Sequence, residues 1–176
     1  MAYATAGRYT PSPREVVACV EQQPLLGAEL SHWFSIAETA NKHLTKSQRK
    51  PPATSLSEAM DFLLKARWYM GEASDEHITV SSAQISRAFE KTKREEFANE
   101  RDFNTFLKIT GQTVADLRYR FRLQLLVTAL SARFGLTGAS AQSRLDRRLR
   151  AKWKPLTSCR PGYTVADDCG QVLRSG

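Results

Sequence analysis

Apolar side chains recur along most of this chain at three- and four-residue steps, the spacing of one face of an α-helix. Only near the start do they bunch into a β-branched run, Val16–Val20, which reads as a short strand ended at Pro24. From Gly27 the pattern changes. Leu30, Trp33, Phe34 and Ala37 stand at i, i+3, i+4 and i+7 and predict a helix that fades at Lys42–Leu44. Residues 45–54, with Pro51 and Pro52, form a polar linker. Ser55 followed by Glu58 is a capping-box pattern, and it predicts a long helix running to about Glu76. That helix buries Ala59, Leu63, Ala66, Met70 and Ala73, with Phe62 and Tyr69 beside them.

Ile78–Val80 is a brief extended break. Ser81 with Gln84 repeats the capping box before a stripe of Ile85, Ala88, Phe89 and Thr92. Asn99 caps a short helix with Phe103, Phe106 and Leu107, stopped at Gly111. Thr113 and Asp116 open another long helix through Leu117, Phe121, Leu125 and Leu130 to a stop at Phe134–Gly135. A last helix from about Ser140 carries Leu145, Leu149 and Trp153 on one side. Six helical segments and at most a couple of short strands make the expected class mainly α. The expected organisation is a disordered N-terminal extension (1–14), a helical domain (15–155) and a C-terminal tail (156–176).

Composition adds little to this picture, and charge adds more. With 176 residues, 41% apolar and 25% charged, the chain has the make-up of an ordinary globular domain. No apolar run approaches the ~20 residues of a membrane helix. The net charge of +8 is unevenly placed: residues 1–117 hold fourteen basic and fifteen acidic side chains, whereas 118–160 hold eleven basic and only Asp146. A stretch so basic suits nucleic acid, anionic lipid or an acidic polypeptide, or simply a solvated helix face.

Candidate chemistry is sparse. There is no phosphate-cradling glycine loop, no HExxH, no nucleophile elbow and no acidic cluster for a hard cation. Cys19, His32, His43 and His77 lack zinc-type spacing, so no metal and no cofactor is expected. His32 reads as a packed or capped histidine, and His43 and His77 as helix-end donors. Asp75–Glu76 and Glu95–Glu96 are sequence neighbours that do not share a helix face and read as solvated surface. Cys159 and Cys169 are separated by nine residues in a Pro/Gly-containing tail that can double back into a disulfide, given an oxidising compartment. The first thirty residues show no leader pattern. Either a leader is missing from this start or the cysteines are reduced.

The aromatic residues Trp33, Phe34, Trp68, Tyr69, Phe103, Phe106 and Phe121 lie on helices already rich in apolar positions, so most belong to the core. Trp68 and Tyr69 adjoin and cannot all face one core with their neighbours, which leaves one or two aromatics for a surface that takes up apolar peptide. The Gly111 turn also gives a helix–turn–helix reading, with Arg118, Arg120 and Arg122 on its second helix as phosphate contacts. Arginine at every second position, however, distributes around a helix instead of lining one side.

Four stretches in order carry a resemblance. They are the strand and first helix (Val16–Val20, Pro24, Leu25, Leu26, Glu29, Leu30, His32, Trp33), AMDFLLKARWYMGEASDEHITVSSAQISRAFEKTKREEF, ERDFNTFLKITGQTVADLRYRFRLQLL, and the closing KWKPLTSCRPGYTVADDC. The segment Ala59–Leu130 resembles the peptide-binding chaperone domain of the SurA/PrsA-type foldases. In that family a long helix ends in an acidic turn, and a capped extended break and a charged helix follow. A block then opens the last long helix, matched here by Asp102, Phe103, Phe106, Leu107, Gly111, Thr113, Asp116, Leu117 and Arg118. The tail Lys152–Cys169 is similar to one that some secreted foldases carry.

The resemblance implies a helical SurA N-terminal-like domain with at most a short β pairing at the termini. It implies an ATP-independent chaperone module for unfolded or secreted polypeptides, outside the cytoplasm. Trp33, Phe34, Trp68, Tyr69 and Phe121 are then the candidate peptide-binding residues, and a Cys159–Cys169 bridge pins the tail, against Val16–Val20. The parvulin isomerase domain usual in the family needs on the order of 90 residues. Only about ten, Phe134–Ser143, join the last two helices, so no isomerase and no catalytic residue is expected. Clients would be extended polypeptides, with the basic stretch facing an anionic envelope surface and no small-molecule substrate. A basic helical nucleic-acid binder is the alternative.

Overall fold

A computed structural model describes residues 11–163, 165 and 167–173. The elements run β1 (Val16–Val20), β2 (Gln23–Leu26), α1 (Gly27–Lys42), α2 (Pro52–Asp75), α3 (Ser82–Glu96), α4 (Glu100–Thr110), α5 (Val114–Arg133), α6 (Ala141–Trp153), β3 (Thr157–Cys159) and β4 (Gln171–Val172). The protein is mainly helical, with six helices among the described residues and a small sheet of four strands. It divides into two compact units, Met1–Leu63 with Pro155–Gly176, and Leu64–Lys154.

The first unit is organised by the sheet, in the order β2-β1-β3-β4. β1 is the β-branched run read from the sequence, and like β3 it is an interior strand of the sheet. β2 is an addition: the strand signal does not stop at Pro24 but turns through Glu21–Gln22 into an antiparallel partner, with Val20 opposite Gln23 and Cys19 opposite Pro24. Glu21 takes a positive φ of 55° there, and its amide donates to the Leu156 carbonyl at 2.7 Å. Proline is tolerated in β2 because that strand forms an edge of the sheet, where a missing donor costs no ladder bond.

β3 joins the other side of β1 antiparallel, with Ala18 opposite Cys159, and β4 runs parallel to β3. Cys159 and Cys169 are disulfide-bonded, their Cα atoms 5.7 Å apart. The tail 156–176 therefore contributes two strands to this unit, and it lies beside Val16–Val20. Of the extension 1–14, residues 1–10 lie outside the described residues. Residues 11–14 belong with the fold, since the Ala28 amide donates to the Pro13 carbonyl at 3.1 Å.

Helix α1 starts where its periodicity says. The Glu29 carboxylate accepts from the Leu26 amide at 3.1 Å, satisfying one of the orphan donors of the first turn. Leu30, Trp33 and Ile36 make its buried face. Helix α2 begins four residues earlier than the Ser55–Glu58 pattern predicts, at Pro52. Proline's fixed φ and absent amide proton suit the first helical position, and this outcompetes a serine cap. Ser55 is consequently inside the helix and buried, while Glu58 pairs outward with Lys50 at 2.7 Å.

In the second unit the caps follow the sequence closely. Ser81 and Gln84 exchange capping-box bonds at the start of α3, and Thr113 and Asp116 do so at the start of α5. The Asn99 side chain accepts from the Asp102 amide at 3.0 Å. Gly111 ends α4 in the left-handed region at φ 69°, which costs glycine no Cβ clash. The apolar stripes of α5 and α6 bury Leu123, Leu126 and Leu130 on one and Leu145, Leu149 and Trp153 on the other.

Candidate functional site

The five aromatic residues singled out in the sequence have different fates. In the first unit, Trp33 is buried and stacks obliquely on Phe62, their ring centroids 4.5 Å apart, while Phe34 is half-buried. In the second unit, Trp68 is 1% exposed and Tyr69 is buried with its hydroxyl donating to Asp146 Oδ1 at 2.6 Å. Phe121 is half-buried, with its ring edge-on to Phe89 at 6.0 Å. Three of the five thus build the interior, and the ring neighbour of Phe121 is Phe89 of α3. Phe89 also meets Phe103 at 6.0 Å, and Phe97 meets both Phe103 and Phe106 at 5.3 and 5.2 Å.

An open apolar groove of about 320 Å³ lies elsewhere in the second unit, lined by Met70, Ala73, Ser74, Ile78, Thr79, Val80, Arg122 and Leu126. Its origin is the way α2 stops. His77 adopts φ 56°, its amide donates to the Ser74 carbonyl at 3.1 Å, and the Ile78 amide donates to the Ala73 carbonyl at 2.7 Å. This pair of bonds is a Schellman ending, which reverses the chain and sets the residue after the left-handed position against the helix's last turn. Ile78 is thereby brought to Ala73, and the extended residues Ile78–Val80 form one wall while Leu126 and Arg122 of α5 form another. The histidine acts through its backbone here, where the sequence suggested a side-chain donor.

The sequence named Met70, Ile78–Val80 and Arg122 separately and did not join them. Met70 looked like one more core position, although it is only partly buried. The missed signal is the polar break after a long helix, followed by alternating Ile78 and Val80: a segment with apolar residues too short to be a strand must line something.

In the same unit, α2 and α6 are joined by charge. Glu72 is 3% exposed, and its Oε2 accepts from Lys152 Nζ at 2.7 Å and from the Trp153 indole at 2.9 Å. Lys152 also reaches Asp75 Oδ2 at 2.7 Å, and Glu76 pairs with Arg133 Nε at 2.7 Å. Asp75 and Glu76, read as free surface, therefore pair with two different helices. Burial opposes the Lys152 ammonium, but the hydrogen bonds to Asp75 and Glu72 and their charges outweigh it and hold its pKa above the ordinary value.

The arginines of α5 occupy separate surroundings, as their alternating positions require. Arg118 lies over the Phe89 ring with its guanidinium carbon 5.4 Å from the centroid, and Arg122 stands at the groove. Among the described residues no group of three or more His, Cys, Asp or Glu side chains could hold a metal ion, and no helix is long and apolar enough to cross a membrane. Cys19 is a free, partly buried thiol whose pKa is pushed up by burial, which makes it a poor nucleophile. No protein-family model, curated protein or solved structure matches the chain.

Proposed function

We propose that this protein is an ATP-independent chaperone module that reversibly holds unfolded polypeptide, in the manner of the peptide-binding domain of SurA/PrsA-type foldases. The observation that carries the reading is the groove of the second unit. It offers apolar walls from Met70, Ala73, Ile78, Val80 and Leu126 without an enclosed polar constellation for chemistry. Burying a few client side chains there at roughly 1.5–3 kcal/mol each, less the cost of ordering the segment, gives weak and quickly released binding. The half-buried Phe121 of the same unit is a secondary contact.

The module works as a binder and not as a prolyl isomerase. Residues 134–140 are all that join α5 to α6, the place where the family inserts its enzyme. The Cys159–Cys169 bridge fits an oxidising, extracytoplasmic setting, where unfolded secreted chains are the clients.

Aggregation of a chemically unfolded model protein, followed by light scattering without ATP at low and high salt, tests the reading. Suppression that persists in salt supports apolar capture. No suppression, or suppression lost with salt alongside salt-sensitive DNA binding, favours a basic nucleic-acid binder instead.

A further inference from the structure

The groove's lining is mostly apolar and carries one charged side chain, Arg122, and this specifies its occupant further. Leu126, Arg122 and Arg118 follow one another at four-residue steps on α5, so they form a single row along that helix. Leu126 and Arg122 line the groove, and Arg118 continues the row beyond it, parked over the Phe89 ring. Arg122 is exposed, and among the described residues it has no hydrogen bond and no ion pair. Other cations nearby in the unit are already engaged: Arg133 with Glu76, and Lys152 with Glu72 and Asp75. The polar residues named in the lining, Ser74 and Thr79, bring no negative charge to offset the guanidinium.

An unpaired guanidinium beside an apolar trough is complementary to a ligand that carries an apolar group and, a few ångströms on, a carboxylate. Volume sets the size of the apolar part. A cavity of ~150 Å³ holds one benzene ring, so the 320 Å³ here admits one or two side chains of an extended chain and not a folded element.

We propose that the groove selects extended polypeptide segments in which one or two large apolar residues are followed directly by an acidic group, a glutamate or aspartate side chain or the chain's terminal carboxylate, held by Arg122 with Arg118 beyond it. This rests on the chaperone reading and narrows it: clients would be ranked by the charge after their apolar residues.

Fluorescence anisotropy with the full chain and three labelled peptides decides the matter. The peptides share one apolar core, Leu-Phe, followed by Glu-Glu, Gln-Gln or Lys-Lys, each with an amidated end. A fourth, Leu-Phe with a free terminal carboxylate, separates the two carboxylate sources. The acidic peptide should bind about five- to tenfold more tightly than the Gln-Gln peptide at low salt, the scale of one partly screened charge-assisted contact. Arg122→Gln should abolish that preference, and Arg122→Lys should restore part of it. Ile78→Ser should weaken both peptides alike. Circular dichroism of each variant confirms that it is folded. Equal affinity for all peptides, or a preference that survives Arg122→Gln, overturns the selectivity; if aggregation is still suppressed, the chaperone reading stands without it. Failure of every peptide to bind, together with no suppression, overturns both.

Discussion

The indole of Trp153, at the end of α6, rests directly on the backbone of Gly71 in α2. A β-carbon on Gly71 would stand 2.8 Å from the ring's Cζ2 and closer still to Cη2. Glycine in mid-helix ordinarily costs roughly 0.5–1 kcal/mol against alanine, and here that cost makes room for the ring. The same tryptophan donates to buried Glu72, the next residue of α2. Its position is fixed from two directions, so it cannot slide away from an added methyl.

Gly71→Ala should therefore destabilise the protein although it raises helix propensity. The expected net loss is about 1–3 kcal/mol, the usual scale of overpacking. Urea unfolding gives the magnitude, and a shift in tryptophan emission would report the displaced ring. A stabilised variant would show that α6 can retreat at no cost.

The Glu72–Lys152 pair makes stability sensitive to alkali. The folded pKa of Lys152 lies above its ordinary value of 10.5, so the folded state holds that proton more tightly than the unfolded chain does. Its contribution is complete below pH 10.5 and is lost as pH rises through the folded pKa. Lys152 is 43% exposed on its side chain, and solvent screening keeps the effect small, about 1 kcal/mol. Lys152→Met should cost that amount at neutral pH, and the gap between wild type and variant should close as the pH rises through the folded pKa in parallel melts. A gap independent of pH would assign the role of Lys152 to its aliphatic stem.

Most of the helical framework was legible because its signals are local. Ser81–Gln84, Asn99, Thr113–Asp116 and Gly111 act on backbone groups within four residues, and each cap forms as the sequence implies. The strand β2 was hidden because proline argues against a strand everywhere except at an edge, and edge position is a property of the sheet. The groove was hidden for a related reason. Leu126 is distant in sequence from Met70 and Ile78, and the residue that turns Ile78 back onto α2 is a histidine in a glycine's conformation. The bridge from Cys159 to Cys169 was readable as an option from spacing.

His77 offers a direct test of how that groove is built. A β-carbon at φ 56° carries a strain of roughly 1 kcal/mol, which glycine avoids. At the end of α5 the same pair of bonds recurs with Gly135 at φ 63°. His77→Gly should accordingly stabilise the protein slightly, by about 0.5–1 kcal/mol, and leave peptide capture intact. His77→Val, β-branched and intolerant of this region, should destabilise by more than that and weaken capture by displacing Ile78. Thermal melts and peptide titrations of the two variants make the comparison; equal stabilities would mean that the imidazole contributes what the backbone strain takes away.

The tail bridge is the last element open to test, and its surroundings make the expectation specific. Cys159 is 1% exposed in β3, and the amides of Gly170 and Leu173 donate to the carbonyls of Thr157 and Cys159, both at 2.9 Å. β4 is only two residues long, so these few bonds hold it in place only while the bridge keeps its loop closed. For cysteines ten residues apart, the chain-entropy account gives about 3 kcal/mol, or a fall of roughly 6–12 °C in Tm for a chain of this size. Replacing both cysteines with serine, or adding reductant, should produce that fall and speed amide exchange at Gly170 and Leu173. Cys19 makes the control. It pairs with Ser158 while its neighbour Ala18 pairs with Cys159, and alternation along the strand puts its thiol on the opposite face from the bridge. Cys19→Ser should leave both the bridge and the sensitivity to reductant unchanged; a Cys19 variant that abolished the reductant effect would mean that the oxidised pair includes Cys19.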